Sequence, residues 1–267
     1  MKSELWVAIE AVHAAGELLR KGFRGKVDVE YKGDIDPVTA LDHEAENLIF
    51  RILREAYPAY GFLGEEDHQD VEGGGPTWIV DPLDGTTNYA RGYPFFAVSI
   101  ALHRDGESVL GVVYSPVHDE LFVALKGRGA WLNWQPVRVS TTQELGRAFL
   151  ASGFPYDVWT AQRDNLEEWS HFTRRIFGPR CDGCASLDLC YVARGTYDGY
   201  WELDLAPWDM AAGSLVVTEA GGVVTGTAGE PFDPFRRSVL AANPHLHSQI
   251  LGHLIGKKPD GTMNEKN

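Results

Sequence analysis

Leu5, Ile9, Val12, Leu19 and Phe23 recur at close to helical spacing, which predicts an amphipathic N-terminal helix running into a glycine- and charge-rich loop from Gly22 to Gly33. After Asp36-Pro37, Thr39 and Asp42 have the spacing of a capping box, and Leu41, Ala45, Leu48, Ile52 and Leu53 trace a second helical stripe that stops before Pro58. Gly61 to Gly64 is a short apolar stretch that delivers Glu65 and Glu66, with a polar loop through Gly75 behind it. Trp78-Ile79-Val80 then reads as the end of a buried strand, broken at Asp81-Pro82 because proline has no N–H for a ladder. The small-residue turn Gly85-Thr86-Thr87-Asn88 opens a short helix in which Thr or Asn is available as the cap.

Phe96 to Leu102, Val109 to Tyr114, Glu120 to Leu125 and Gly129 to Leu132 are strand-like runs separated by turn residues, the pattern of an antiparallel meander. Near Ser140 to Leu145 the chain turns polar, and strands then alternate with helices. The predicted order is a strand at Phe149 to Ser152, a helix from about Thr160 to Ile176, a helix from Leu187 to Arg194 and a strand at Gly199 to Glu202. A helix from Trp208 to Ala220, strands at Val223 to Thr225 and Val239 to Ala242, and an amphipathic helix after Pro244 complete it. The Trp208 helix is apolar nearly all round, which predicts burial between layers with Asp209 at its entry. The fold class is α/β, with an N-terminal half at 1–142 and a C-terminal half at 143–267 forming one compact unit; the tail 256–267 is expected to be disordered.

Charge narrows the function. The chain has 24 basic against 38 acidic residues, a net charge of −14, which weighs against direct nucleic-acid binding. A phosphate ester would be opposed by that global field, so its attraction must come from local positive charge such as bound cations. Cys181, Cys184 and Cys190 are read as buried structural thiols, because C-x-x-C without further ligands does not make a zinc site. With no long apolar run, a soluble protein of the cytoplasm is expected, with no membrane partner. None of the nine histidines has a recognisable metal or nucleophile spacing.

Asp81 at a strand end, Asp84 three residues on and a helix opening at Gly85 bring two carboxylates to a helix N-terminus. Close carboxylates suit a hard divalent cation and free N–H groups suit a phosphate. An ordinary capped turn with two solvated acids has the same pattern, so this stretch alone leaves the choice open. A covalent aspartyl-phosphate mechanism is disfavoured, because Asp81 and Asp84 stand three apart with Pro82 between them, where that chemistry spaces nucleophile and acid by two.

Taken together, GEE at Gly64 to Glu66, DPLDGTTNY at Asp81 to Tyr89 and PWDMAAGSLVVTEAGG at Pro207 to Gly222 resemble the inositol monophosphatase family. The likeness spans nearly the whole chain and includes WIVDPLDGTTN, GVVYSP and LDLCYVARGTYDGYWE. It implies alternating αβαβα layers, as in fructose-1,6-bisphosphatase. It also implies a usually dimeric, lithium-sensitive, Mg²⁺-dependent phosphomonoesterase acting on a small phosphate ester.

Carried over by motif, Glu65, Asp81 and the carbonyl of Leu83 hold one Mg²⁺, and Asp81, Asp84 and Asp209 hold a second. A third, looser ion lies near Glu65, toward Asp42 and Lys32, giving two or three per site. The phosphate rests on the ions and on the N–H groups of Gly85 and Thr86, while Thr86, bonded to Asp42, orients the attacking water. Glu202 and the backbone near Cys184 and Ala185 match the positions that read the alcohol. The segment ELDLAPWD carries no Lys or Arg for a second phosphate, which favours inositol 1-phosphate over fructose 1,6-bisphosphate or 3′-phosphoadenosine 5′-phosphate unless another segment or a dimer partner supplies a cation. The non-enzymatic alternative is a regulatory binding protein on the same fold.

Overall fold

Two mixed sheets carry the molecule, and the order in which the chain supplies them explains where its acids end up. The computed structural model describes residues 3–25, 29–32, 36–71, 74–161 and 163–256. In chain order the elements begin with α1 (Glu4–Gly22), β1 (Val29–Lys32), β2 (Asp36–Thr39), α2 (Ala40–Ala56), β3 (Gly61–Gly64), β4 (Gln69–Asp70), β5 (Thr77–Asp84) and α3 (Thr86–Ala90). The meander follows as β6 (Ala97–Arg104), β7 (Glu107–Ser115), β8 (Glu120–Leu125), β9 (Gly129–Leu132) and β10 (Gln135–Pro136). The remainder is β11 (Phe149–Ser152), α4 (Leu166–Thr173), β12 (Gly178–Arg180), α5 (Ala185–Ala193), β13 (Gly199–Leu203), α6 (Pro207–Glu219), β14 (Val223–Thr225), β15 (Ser238–Ala242) and α7 (His247–Ile255).

The first sheet has eight strands in the order β10-β9-β8-β7-β6-β5-β3-β4, and the second has five, β12-β11-β13-β15-β14; β1 and β2 pair with each other. Helices α1 and α2 cover one face of the large sheet, α5 and α6 lie between the sheets, and α4 and α7 close the small sheet from outside. Five alternating layers, αβαβα, result. Strand alternation sorts β5 between two of the three cores: Trp78 and Val80 pack with Val12, Leu19 and Ile49, while Ile79 packs with Leu189, Met210 and Val216 in the middle layer. Asp81, two residues after Ile79, therefore faces the middle layer as well. The outer core gathers Leu150, Phe172, Trp201, Leu246 and Ile250.

Several expectations are corrected. Part of the Gly22–Gly33 stretch read as a loop is strand, Val29–Lys32, paired antiparallel with Asp36–Thr39. The polar loop after Glu66 contains the short β4, antiparallel to β3. Strand β5 does not stop at Asp81-Pro82 but runs to Asp84; between the rungs Asp81↔Ser99 and Asp84↔Ala97 it carries one residue more than β6, and this bulge accommodates Pro82.

The long helix expected from about Thr160 is only Leu166–Thr173. Before it the chain makes turns closed on Pro155 and Asp157, and Asn165 takes a left-handed φ of 65° while donating to Ser152 Oγ and the Gly153 carbonyl. The buried stripe of α2 is rotated from the one predicted: Asp42, Ala45, Glu46, Ile49 and Leu53 face inward. Cys181 is exposed, whereas Cys184 and Cys190 are buried. The expected disordered tail, from 257 on, lies outside the described residues.

Candidate active site

The bulge of β5, the first turn of α6 and the start of α5 meet at one end of the middle layer. Ser99 of β6, the rung partner of Asp81, donates from its hydroxyl to the Trp208 carbonyl at 3.3 Å, which fastens the residue before Asp209 to β6. Asp209 is held in turn, its Oδ2 accepting the Ala206 N–H at 2.7 Å across the entry of α6. Asp84 reaches the start of α5 and accepts the Ser186 N–H at 2.7 Å. Asp81 accepts the Leu83 N–H at 2.9 Å, which orients the Leu83 carbonyl within the bulge.

Glu65 comes from the loop after β3, and its placement depends on a residue the hydrophobic pattern hides. Glu46 of α2 is fully buried and accepts the N–H groups of Glu66, Asp67 and His68 at 2.7, 2.7 and 2.8 Å, with His68 Nδ1 at 3.0 Å. Gly64 is required here, because a Cβ at that position would overlap the Glu46 carboxylate. The one sequence signal for Glu46 is its position four residues after Asp42 and one after Ala45, on the face that turns inward.

Asp42 satisfies the predicted capping box, accepting the Thr39 N–H at 3.0 Å, and its other oxygen accepts the Thr86 hydroxyl, also at 3.0 Å. The Leu83 carbonyl lies equally close to that hydroxyl, at 3.0 Å. Thr86 does not cap α3, nor does Asn88. Gly85 occupies the cap with φ of 92°, and a Cβ there would meet the Phe95 and Gly183 carbonyls at 3.1 and 3.2 Å. Asn88 instead donates to the carbonyls of Phe95 and Asp182, tying α3 to the segment before α5.

Glu65, Asp81, Asp84, Thr86 and Asp209 line a cavity of about 810 Å³ that also takes in Cys184, Ala185, Glu202, Asp204 and Arg237. Of the sequence-predicted residues, Glu65, Asp81, Leu83, Asp84, Gly85, Thr86, Cys184, Ala185, Glu202 and Asp209 all line it, and Asp42 touches it through Thr86. The side chain of Lys32 lies outside the described residues. The sequence reading missed Glu46, Asp204 and Arg237.

The electrostatics are those of a charge cluster short of counterions. Burial pushes Asp81 well above the ordinary carboxylate range, and the charges of Glu65, Asp84 and Asp209 push it further. Asp209 is raised by burial, Asp84 and Glu65, against the lowering effect of its Ala206 hydrogen bond. Burial also raises Asp84, with Ser186, Cys184 and Ala185 opposing through their hydrogen bonds. Glu202 is pushed up to about 7 by burial, although the Tyr200 hydroxyl donates to it.

Among the described residues no group of three or more His, Cys, Asp or Glu stands close enough together to hold a metal ion. The donor set still fits a hard divalent cation: four converging carboxylates with a backbone carbonyl between them, and Arg237 as the sole cationic side chain among the described residues of the wall.

The family model described as the inositol monophosphatase family matches residues 1–257. An inositol-1-monophosphatase of Rhizobium meliloti is 44% identical over 245 residues, covering 90% of this chain and 91% of that one. The Nus factor SuhB of Pseudomonas aeruginosa is 43% identical, covering 94% and 95% respectively. The structure of an inositol monophosphatase from Anabaena (Nostoc) superposes with a TM-score of 0.86 at 38% identity, covering 95% of each chain.

Proposed function

This chain belongs to the inositol monophosphatase family, metal-dependent hydrolases of phosphoric monoesters, and from that footing we propose that it releases phosphate from a small polyol phosphate, foremost myo-inositol 1-phosphate. The observation that carries this reading is the convergence of Glu65 from the loop after β3, Asp81 and Asp84 from β5 and Asp209 from α6 onto one wall beside the Thr86–Asp42 pair. Glu65, Asp81 and the Leu83 carbonyl would hold one Mg²⁺, and Asp81, Asp84 and Asp209 another, with a third, looser ion toward Glu65 and Asp42. When bound, such cations supply Lewis acidity and the positive charge that a phosphate dianion lacks on this acidic wall.

The chain's own groups do the positioning. The N–H groups of Gly85 and Thr86 would face the phosphate oxygens. The Thr86 hydroxyl, with its proton directed to Asp42 Oδ1, has oxygen lone pairs that accept from a water, orienting it for in-line attack and passing its proton toward Asp42. Glu202 would accept hydroxyls of the alcohol, beside the backbone of Cys184 and Ala185. A homodimer, a cytoplasmic location and inhibition by lithium complete the reading by family likeness. Among the described residues no helix is long and apolar enough to cross a membrane.

The test is phosphate release with Mg²⁺ from inositol 1-phosphate, fructose 1,6-bisphosphate and 3′-phosphoadenosine 5′-phosphate. Preference for inositol 1-phosphate is expected, and a preference for either bisphosphate would overturn the substrate. Likeness to a Nus factor favours a second reading, a regulatory binding role on the same fold, which absence of turnover on every ester would promote.

A further inference from the structure

At the mouth of the cavity, β13 and β15 end together. Leu203 and Ser238 form their last rung, so Asp204 and Arg237 are the next residues across from one another. Arg237 Nε donates to Asp204 Oδ1 at 2.9 Å, with Nη2 2.7 Å from the same oxygen. The Leu205 N–H donates to the Arg237 carbonyl at 3.2 Å and holds the two backbones together past the rung. Both residues hold left-handed backbone, φ 63° at Asp204 and 58° at Arg237, a conformation that L side chains other than Asn and Asp rarely adopt. The pair stands two residues beyond Glu202, and all three line the same cavity.

The charge balance gives the pair its meaning. Eight carboxylate residues and a single guanidinium are among the described residues of the cavity wall. The side chains of Arg237 and Asp204 are 64% and 49% exposed, so their ion pair adds little to stability and both groups are accessible to a ligand. Asp204 takes one hydrogen bond, from Nε, with Nη2 in ion-pair contact, and a guanidinium carries five N–H groups, so donors remain for a substrate.

We propose that Arg237 and Asp204 are specificity-determining residues for the alcohol half of the substrate. Paired, they present a neutral edge of donors beside acceptors that takes adjacent hydroxyls of a polyol, opposite Glu202. Asp204 at the same time cancels the one positive charge that a second phosphate would need. This rests on the phosphatase reading above and adds the element that sets monophosphate over bisphosphate.

The experiment compares kcat/KM for inositol 1-phosphate, fructose 1,6-bisphosphate and p-nitrophenyl phosphate with Mg²⁺, in wild type, Asp204→Asn, Arg237→Asn and the double variant. Asparagine tolerates the left-handed backbone, so neither exposed substitution adds strain. Arg237→Asn should lose roughly tenfold more on inositol 1-phosphate than on p-nitrophenyl phosphate, mainly through KM, as expected for charge-assisted hydrogen bonds. Asp204→Asn, by freeing the guanidinium, should raise the ratio of bisphosphate to inositol 1-phosphate by about tenfold, and added salt or Arg237→Asn should abolish that gain. Equal changes on all three esters in folded variants would overturn the assignment while leaving the phosphatase reading in place. A wild type that hydrolyses none of the three would overturn that reading and this inference with it.

Discussion

The Thr86 hydroxyl donates to Asp42 Oδ1 at 3.0 Å, joining residues 44 positions apart and fastening the short helix after β5 to the first turn of α2. Asp42 is buried and its second oxygen closes the capping box, so the acceptor is held from both sides. If this pair orients and deprotonates water, Thr86→Val should lower kcat on inositol 1-phosphate by about 10²-fold or more with a smaller change in KM. Asp42→Asn should act in the same direction. Steady-state kinetics check both, and a Thr86→Val variant with unchanged kcat would take the hydroxyl out of the chemistry.

Glu46 bears on the same wall through the loop that carries Glu65. Replacing it by Ala leaves three backbone N–H groups without their carboxylate, at a cost of about 3 kcal/mol in stability. Because that loop positions Glu65, Glu46→Gln should need more Mg²⁺ for half-maximal activity even where the chain stays folded. Urea unfolding and a Mg²⁺ titration measure the two effects; wild-type behaviour in both would make the buried carboxylate incidental.

The acid cluster sets a pH dependence whose sign follows from its shifts. Asp81, Asp209 and Glu202 have folded-state pKa values above those of free carboxylates, Glu202 at about 7, so folding favours their protonated forms. Their contribution to stability is fullest below the unfolded carboxylate range and is lost as pH rises through the folded values. With chelator present, Tm should therefore fall between about pH 5 and 8, and the Tm gain on adding Mg²⁺ should grow over that window. Thermal melts with EDTA and with Mg²⁺ test this. A flat profile with a pH-independent Mg²⁺ shift would show that these three buried acids are not held above the ordinary carboxylate range.

Glu202 should be separable from the metal site. Glu202→Gln removes a carboxylate acceptor but no expected cation ligand, so kcat/KM for inositol 1-phosphate should fall roughly tenfold or more, and for glycerol 2-phosphate less. Tm should hold or rise near pH 8, since burial disfavours the charge that is removed. Equal losses on both esters would place Glu202 in support of the fold instead.

Local patterning made some of this visible before any coordinates. The buried α6 and the apolar run into Asp81 stand out because continuous hydrophobicity acts within a few residues, whereas the break read at Pro82 is absorbed by a bulge set by the pairing with β6. The motif order located Glu65, Asp84 and Asp209. Glu46 stayed hidden because an acid scores as solvent-facing unless its partners, here three N–H groups some twenty residues away, are known. Arg237 was invisible for a similar reason: its neighbour Asp204 is 33 positions away and is brought opposite only by the β13–β15 register. The over-long helix before Ile176 shows the converse, a polar-apolar periodicity overridden by the bonds of Asn165 to β11.

Asp209 is the most direct handle on the whole arrangement, because it belongs to the charge cluster while its carboxylate accepts from the Ala206 backbone at the helix entry. The decisive measurement is phosphate release from inositol 1-phosphate as a function of Mg²⁺ for wild type and Asp209→Asn, with Tm recorded for each. Turnover that requires Mg²⁺ in the wild type and is abolished in a folded Asp209→Asn at saturating Mg²⁺ is the expected result; near-wild-type turnover in that variant, or wild-type turnover undiminished by EDTA, would contradict it.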